Sequence, residues 1–371
     1  MRAMVALVLA GTLVLADCTP RGAVTVDRSA AGVGSVERIL VATSRAASTG
    51  AEIYGRERSA TLGFARLDVS VPPERAPGTL TFPDDVPADP RTDFVTLDAA
   101  RIADAQGFAA TVRSALASEP PEARRIMVFV HGFNTNFAEG VYRQAQMMHD
   151  FGTPAIAVHY AWPSAADARL YLYDRDSAFY ARDGLERLLR LLADIDADRI
   201  VVVGHSMGAQ VTLEALRQMA LTGAPRFFDK LTAVALLSPD VDVDLFRSEL
   251  TPLATMDIPW FIFVSSRDRA LRVSSLIRGR QARLGSLVDP AAIADLDVTV
   301  IDMSAVEGDP LGHSVVASSP VMISLVQGLG RYGPTILAEE EQNTGLAATT
   351  IGAVQRVTEV VVSPLAPLGA P

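Results

Sequence analysis

The sequence predicts an α/β fold, a mostly parallel sheet covered on both faces by helices. Three observations carry that prediction. From about residue 125, short continuous apolar runs alternate with amphipathic stretches. That is the pattern of parallel strands buried on both faces and joined by helical crossovers. The chain has 371 residues, 49% hydrophobic and 20% charged. Such a chain can build a large core and carries too little charge for wholesale disorder. One apolar run, residues 199–203, leads straight into a Gly-x-Ser-x-Gly turn with a helical pattern behind it.

The elements follow in order. In residues 1–17, MRAMVALVLAGTLVLAD, Arg2 precedes an apolar run from Ala3 to Ala16. A spanning helix needs about 20 residues, so the segment is expected to be an export signal. Cys18, the only cysteine, follows in Leu15-Ala16-Asp17-Cys18. This resembles the lipobox of bacterial lipoproteins, whose cysteine becomes the lipidated N-terminus. Asp17 departs from the small neutral residue usual there, so plain cleavage after Ala16 is the alternative. In both cases the chain is expected to be exported, as a periplasmic protein or as a lipoprotein attached to the membrane by an N-terminal lipid. Residues 18–37 are expected to be a linker, 38–337 one folded domain, and 338–371 a mobile tail. Within the domain, residues 38–42 read as a buried strand, 66–71 as an extended segment and 96–118 as a helix. The alternation then predicts strands at 125–130, 155–160, 199–203, 231–237, 260–265 and 297–302. Helices are expected at 137–151, 175–195, 209–221 and 243–249. No internal repeat is visible.

Gly204-His205-Ser206-Met207-Gly208 is the strongest local signal. A nucleophilic serine on a strand-to-helix turn needs a strained backbone. Glycines two before and two after let strand and helix approach without Cβ clashes. Its hydroxyl needs a base, and the base needs a carboxylate. In α/β-hydrolases the chain order is Ser, acid, His. His313 is the one histidine beyond Ser206. Two aspartates qualify as the acid: Asp268, after strand 260–265, and Asp240, after the preceding strand. The position after the penultimate strand favours Asp268. The strand ending at Val130 runs into His131-Gly132-Phe133-Asn134. It is expected to supply an oxyanion hole from the backbone N–H of Phe133, together with that of Met207 at the start of the elbow helix. His131 precedes the serine and reads as structural.

Composition excludes several other functions. The net charge is −10, which repels phosphate backbones, so no nucleic-acid partner is expected. The only lysine, Lys230, lies in Asp-Lys-Leu-Thr, not in a phosphate-binding loop. One cysteine allows no intrachain disulfide and no thiolate cluster. The five histidines form no HExxH or ligand ladder, so neither metal nor cofactor is expected.

These residues together resemble a bacterial α/β-hydrolase family of unknown function in the esterase/lipase superfamily. The matches span roughly 38–315: Thr43-Ser44-Arg45, Val130-His131-Gly132-Phe133-Asn134-Thr135 with Phe137, Trp162-Pro163-Ser164, Tyr171, Asp174 and Ser177-Ala178. Further on come His205-Ser206-Met207-Gly208, Ser238-Pro239-Asp240-Val241-Asp242, Ser265-Ser266-Arg267-Asp268 and Gly312-His313-Ser314. The resemblance implies the α/β-hydrolase fold and hydrolysis of an ester-like bond, with no physiological substrate. The expected activity is that of a carboxylesterase-type serine hydrolase on a small-molecule acyl ester. An amidase or thioesterase with the same triad, or a non-catalytic envelope lipoprotein, is the alternative. The charges in 160–180 argue against the mobile apolar lid of a true lipase. Trp162, Tyr171 and Asp174 either line the mouth of the site or pack the 160–178 loop. The oligomeric state is left open.

Overall fold

The computed structural model describes residues 21–49, 52–83, 87–121, 124–279, 281–287, 290–306, 311–320, 323 and 360–362. The expected export signal and Cys18 lie outside them. Ten strands form one sheet: β1 Ser35–Ala47, β2 Tyr54–Val71, β3 Val95–Ile102, β4 Arg125–Val130, β5 Ile156–Ala161, β6 Arg199–His205, β7 Leu231–Leu237, β8 Trp260–Val264, β9 Thr299–Asp302 and β10 Val360–Val362. Their spatial order is β10-β9-β8-β7-β6-β4-β5-β1-β2-β3. The central pairings, from β1–β5 through β8–β9, are parallel, while β1–β2, β2–β3 and β9–β10 are antiparallel.

Alternation within each strand fills two cores. Val128 and Val130 of β4 face one cluster, with Val202 of β6 and Leu236 of β7. Met127 and Phe129 face the other, with Val203 and Leu237. Successive side chains of a strand point to opposite faces, so a strand apolar throughout must be covered twice. The first face is covered by α1 (Ala105–Ala117), α3 (Tyr171–Ala193), α4 (Met207–Thr222) and α5 (Val243–Leu250). The second is covered by α2 (Phe137–Phe151) and by Val315–Ala317. A sixth helix, α6 (Arg269–Ile277), follows β8. No described helix is long and apolar enough to cross a membrane.

Three expectations change. Residues 96–118 are not one helix: β3 runs to Ile102 and α1 starts at Ala105, where Asp104 caps it by accepting from the Gly107 N–H at 2.8 Å. The cap breaks the segment, and the edge of β2 pairs with the half before it. Residues 21–34, read as linker, pack on the domain. Arg21 pairs with Glu139 at 2.6 Å, the Tyr142 hydroxyl donates to the Ala23 carbonyl, and Asp27 N–H donates to Thr96 O. Within the expected tail, Val360–Val362 pairs with β9.

The site is positioned by the order of the central strands. β4 and β6 are neighbours, and the crossover after β4 runs one way, to β5, while that after β6 runs the other way, to β7. Such a switch point opens a crevice at the carboxyl ends of the strands. Val130 is level with Gly204 in the register, so the loops after β4 and β6 emerge side by side.

Candidate active site

β6 ends at His205 and α4 begins at Met207, leaving Ser206 as the whole turn. Its backbone sits at φ 53°, ψ −121°. A non-glycine residue in such a sparsely populated region costs roughly 1–3 kcal/mol and persists only where its surroundings hold it. Here they do. The Ser206 N–H donates to Leu237 O at 2.9 Å, and its carbonyl accepts from the N–H groups of Ala209 and Asp240 at 3.1 and 3.2 Å. The helix also presses on the neighbouring loop. A Cβ on Gly208 would lie 2.3 Å from the His131 carbonyl oxygen, and one on Gly204 would lie 2.9 Å from Ala209 Cα. Both glycines of the motif are therefore required by contact. Ser206 is 4% exposed.

His313 and Asp268 meet beside this turn. His313 Nδ1 lies 2.6 Å from Asp268 Oδ2. Asp268 is fully buried and caps α6, its other oxygen accepting from the Leu271 N–H at 2.9 Å. Two hydrogen bonds therefore fix the carboxylate, one from the helix and one from the imidazole. The histidine loop is clasped to the same turn, since the Arg269 N–H donates to Leu311 O at 2.9 Å. His205, the residue before Ser206, donates from Nε2 to the His313 carbonyl at 3.1 Å, with ring centroids 4.9 Å apart. Burial pushes the His205 pKa down to about 3, with His313 adding to the effect. His205 is thus a neutral strut between elbow and base. A pocket lined by Phe129, Leu237, His205 and His313 adjoins the pair.

Asp240 is buried too, and its backbone touches the elbow, but its side chain is engaged elsewhere. Oδ2 accepts from the Tyr171 hydroxyl and Oδ1 from Ser274 Oγ, both at 2.6 Å. Arg283, 2% exposed, brings its Nε to 3.5 Å. Of the two candidate acids, the structure brings Asp268 to His313.

The loop after β4 lies against the elbow. A Cβ on Gly132 would come 2.9 Å from the Ser206 Cβ, so the chain passes Ser206 as closely as backbone allows. Phe133 follows, its ring edge-on to Tyr171 at 5.3 Å. Asn134 takes φ 54°, which asparagine tolerates better than most residues. Its N–H donates to Asp174 Oδ2 at 3.1 Å. Asp174 also accepts from the Ala165 N–H and from Ser164 Oγ. Trp162 donates from its indole to the His131 carbonyl at 2.6 Å and stacks on the His131 ring at 4.9 Å. Trp162 and Asp174 are thus packing and fastening residues of this loop, while Tyr171 packs against Phe133 beside the elbow. His131 is fully buried, and burial with nearby Arg45 holds its pKa well below the usual value. It is a neutral wall, as its chain position suggests.

Sequence reasoning assigned no role to Arg45. It is 2% exposed and its guanidinium donates to the carbonyls of Gly55, Ser164 and Thr135. Burial lowers its pKa to about 10, so it stays charged and ties β1 to the loops at 135 and 164. Arg21 likewise donates to the Asn134 carbonyl at 3.0 Å. No spacing in the sequence signals either contact, because both join segments some 90 residues or more apart.

A family model described as an alpha/beta hydrolase of unknown function (DUF900) matches residues 106–329. Among solved structures, a dienelactone hydrolase-like promiscuous phosphotriesterase, P91, from metagenomic libraries is similar over 80% of this chain and 99% of that one. The identity is 12% and the TM-score 0.34. A protein designated m3DLH is similar over 80% and 97%, at 12% identity and a TM-score of 0.31. Comparison with curated proteins finds no match.

Proposed function

The chain belongs to this family of α/β hydrolases, and we propose that it is a serine hydrolase of carboxylesterase type. The observation that carries this reading is the His313–Asp268 pair, 2.6 Å apart, held beside a strained Ser206. In the proposed mechanism Ser206 Oγ attacks the acyl carbonyl. His313 Nε2 takes its proton, while Nδ1–H stays on Asp268 and stabilises the imidazolium. The negative charge on the former carbonyl oxygen is met by the N–H groups of Phe133 and Met207. Such donors cost no reorganisation when the charge develops, and losing one costs on the order of 10²–10³ in rate. His313 then returns the proton to the leaving alcohol, and water repeats the sequence on the acyl-enzyme. An acyl ester of small or medium chain is the substrate class. Export, with lipid attachment at Cys18, belongs to the same reading, and the intact mass of protein purified from a bacterial host tests it. For the chemistry, Ser206→Ala should lower hydrolysis of p-nitrophenyl acyl esters by at least roughly 10³ and abolish fluorophosphonate labelling, with the circular dichroism unchanged. Activity near that of the parent would overturn the assignment.

A further inference from the structure

Among the described residues, exposed apolar side chains cluster at α6, the helix that Asp268 caps. Val273, Leu276 and Ile277 occupy one face of it and are 40%, 57% and 53% exposed. They stand at i, i+3 and i+4, the spacing of a single helical stripe. Leu271 and Ser274 on the other face are buried. Two segments pack beside α6. Tyr171 reaches Ser274 Oγ at 3.0 Å, so the start of α3, where Leu170 and Leu172 are 37% and 63% exposed, lies against α6. Leu311, 55% exposed, is fastened to the start of α6 through the Arg269 N–H. Four of the eleven exposed large hydrophobic side chains among the described residues, Val273, Leu276, Ile277 and Leu311, thus lie on this nine-residue helix or on the loop fastened to its start.

The charge of α6 and the turn before it is reversed relative to the whole. The chain carries a net −10, yet residues 267–278 hold four arginines and one acid. That acid, Asp268, is buried on His313. Arg267, Arg269 and Arg272 are exposed, and Arg278 lies over the Tyr171 ring at 5.6 Å. An apolar stripe flanked by arginines is complementary to the headgroup and upper acyl region of an anionic bilayer, where both kinds of side chain are favoured. A soluble monomer rarely exposes such a patch without a use for it.

We propose that α6 and the leucines around it form a surface that docks on anionic membranes, with the site of Ser206 and His313 beside it, so that the acyl ester cleaved is drawn from the membrane. The docking stands on the surface alone, whereas the substrate class rests on the serine-hydrolase reading. The test uses the full chain carrying Cys18→Ser, so that no acyl group holds it to lipid. Its binding to phosphatidylcholine vesicles, with and without 30% phosphatidylglycerol, is read by co-flotation. The anionic vesicles should bind it about tenfold more tightly or better. Leu276→Ser with Ile277→Ser should lower that binding about tenfold, and Arg269→Gln with Arg272→Gln should reduce it to the neutral-vesicle level. Near-ultraviolet circular dichroism checks the fold of each variant. Equal binding to both vesicle types, or parental binding by the Leu276→Ser/Ile277→Ser variant, overturns the docking. Ser206→Ala separates the two readings: it should bind vesicles like the parent while failing to hydrolyse an ester dispersed in them. Retained hydrolysis would overturn the substrate inference and leave the docking intact.

Discussion

Two buried carboxylates stand at the carboxyl edge of the sheet, Asp240 after β7 and Asp268 after β8. They differ in what meets them. Asp268 receives a helix N–H and an imidazole. Asp240 receives two hydroxyls and lies beside a buried guanidinium. Hydroxyls and a guanidinium do not change protonation during turnover, whereas an imidazole gains and loses a proton. On the proposed mechanism it is the partner, more than the position or the burial, that separates an acid of the reaction from an acid of the scaffold.

The sharpest way to break this contrast is to neutralise each carboxylate in turn. Asp268→Asn should lower kcat for a soluble ester by roughly 10⁴, because the amide cannot hold the imidazole in the required tautomer or stabilise its cation. The protein should stay folded, and steady-state kinetics on a p-nitrophenyl ester series checks it. Asp240→Asn should act the other way round. It leaves Arg283 buried without its nearest countercharge, which costs about 3 kcal/mol, while kcat of the folded protein stays within about tenfold. Urea unfolding beside the same kinetics gives both readings. Reversed phenotypes would exchange the roles of the two residues. A third buried carboxyl sharpens the comparison, since it has neither kind of partner. Burial, followed by the proximity of Glu214, raises the Glu249 pKa to about 8, against an ordinary 4.5. The folded chain therefore holds a proton there that the unfolded chain releases, and its stability falls as pH rises from about 4.5 to 8. Glu249→Gln should remove that slope. It should raise the thermal midpoint over the parent at pH 8, by the equivalent of ~4 kcal/mol, and change little at pH 5.

Much of this was legible in the sequence, for reasons that differ by residue. The elbow is local: five consecutive residues carry the turn, its strain and its two clearances. The parallel strands were legible because burial on both faces leaves them apolar throughout. Chain order pointed to Asp268 over Asp240, but the choice needed a contact across 45 residues. The first half of 96–118 was misread because apolar and small residues serve an edge strand as well as a helix, and the neighbour β2 decided between them. Arg45 was visible as a match to a family pattern without work to do, and Asp174 as a residue either of the mouth of the site or of the packing of the 160–178 loop. Their roles are to hold a loop by its carbonyls and amides, which no side-chain pattern announces.

The clasp between the 311–313 loop and the start of α6 also has a consequence in time. During synthesis Ser206, the loop after β4 and Asp268 all leave the ribosome before His313. Its loop is fastened at Leu311 by Arg269 and at His313 by His205, contacts that reach back up to 108 residues. On the proposed mechanism a chain that ends before His313 therefore carries the nucleophile without the base that arms it, and such a chain is inert by construction.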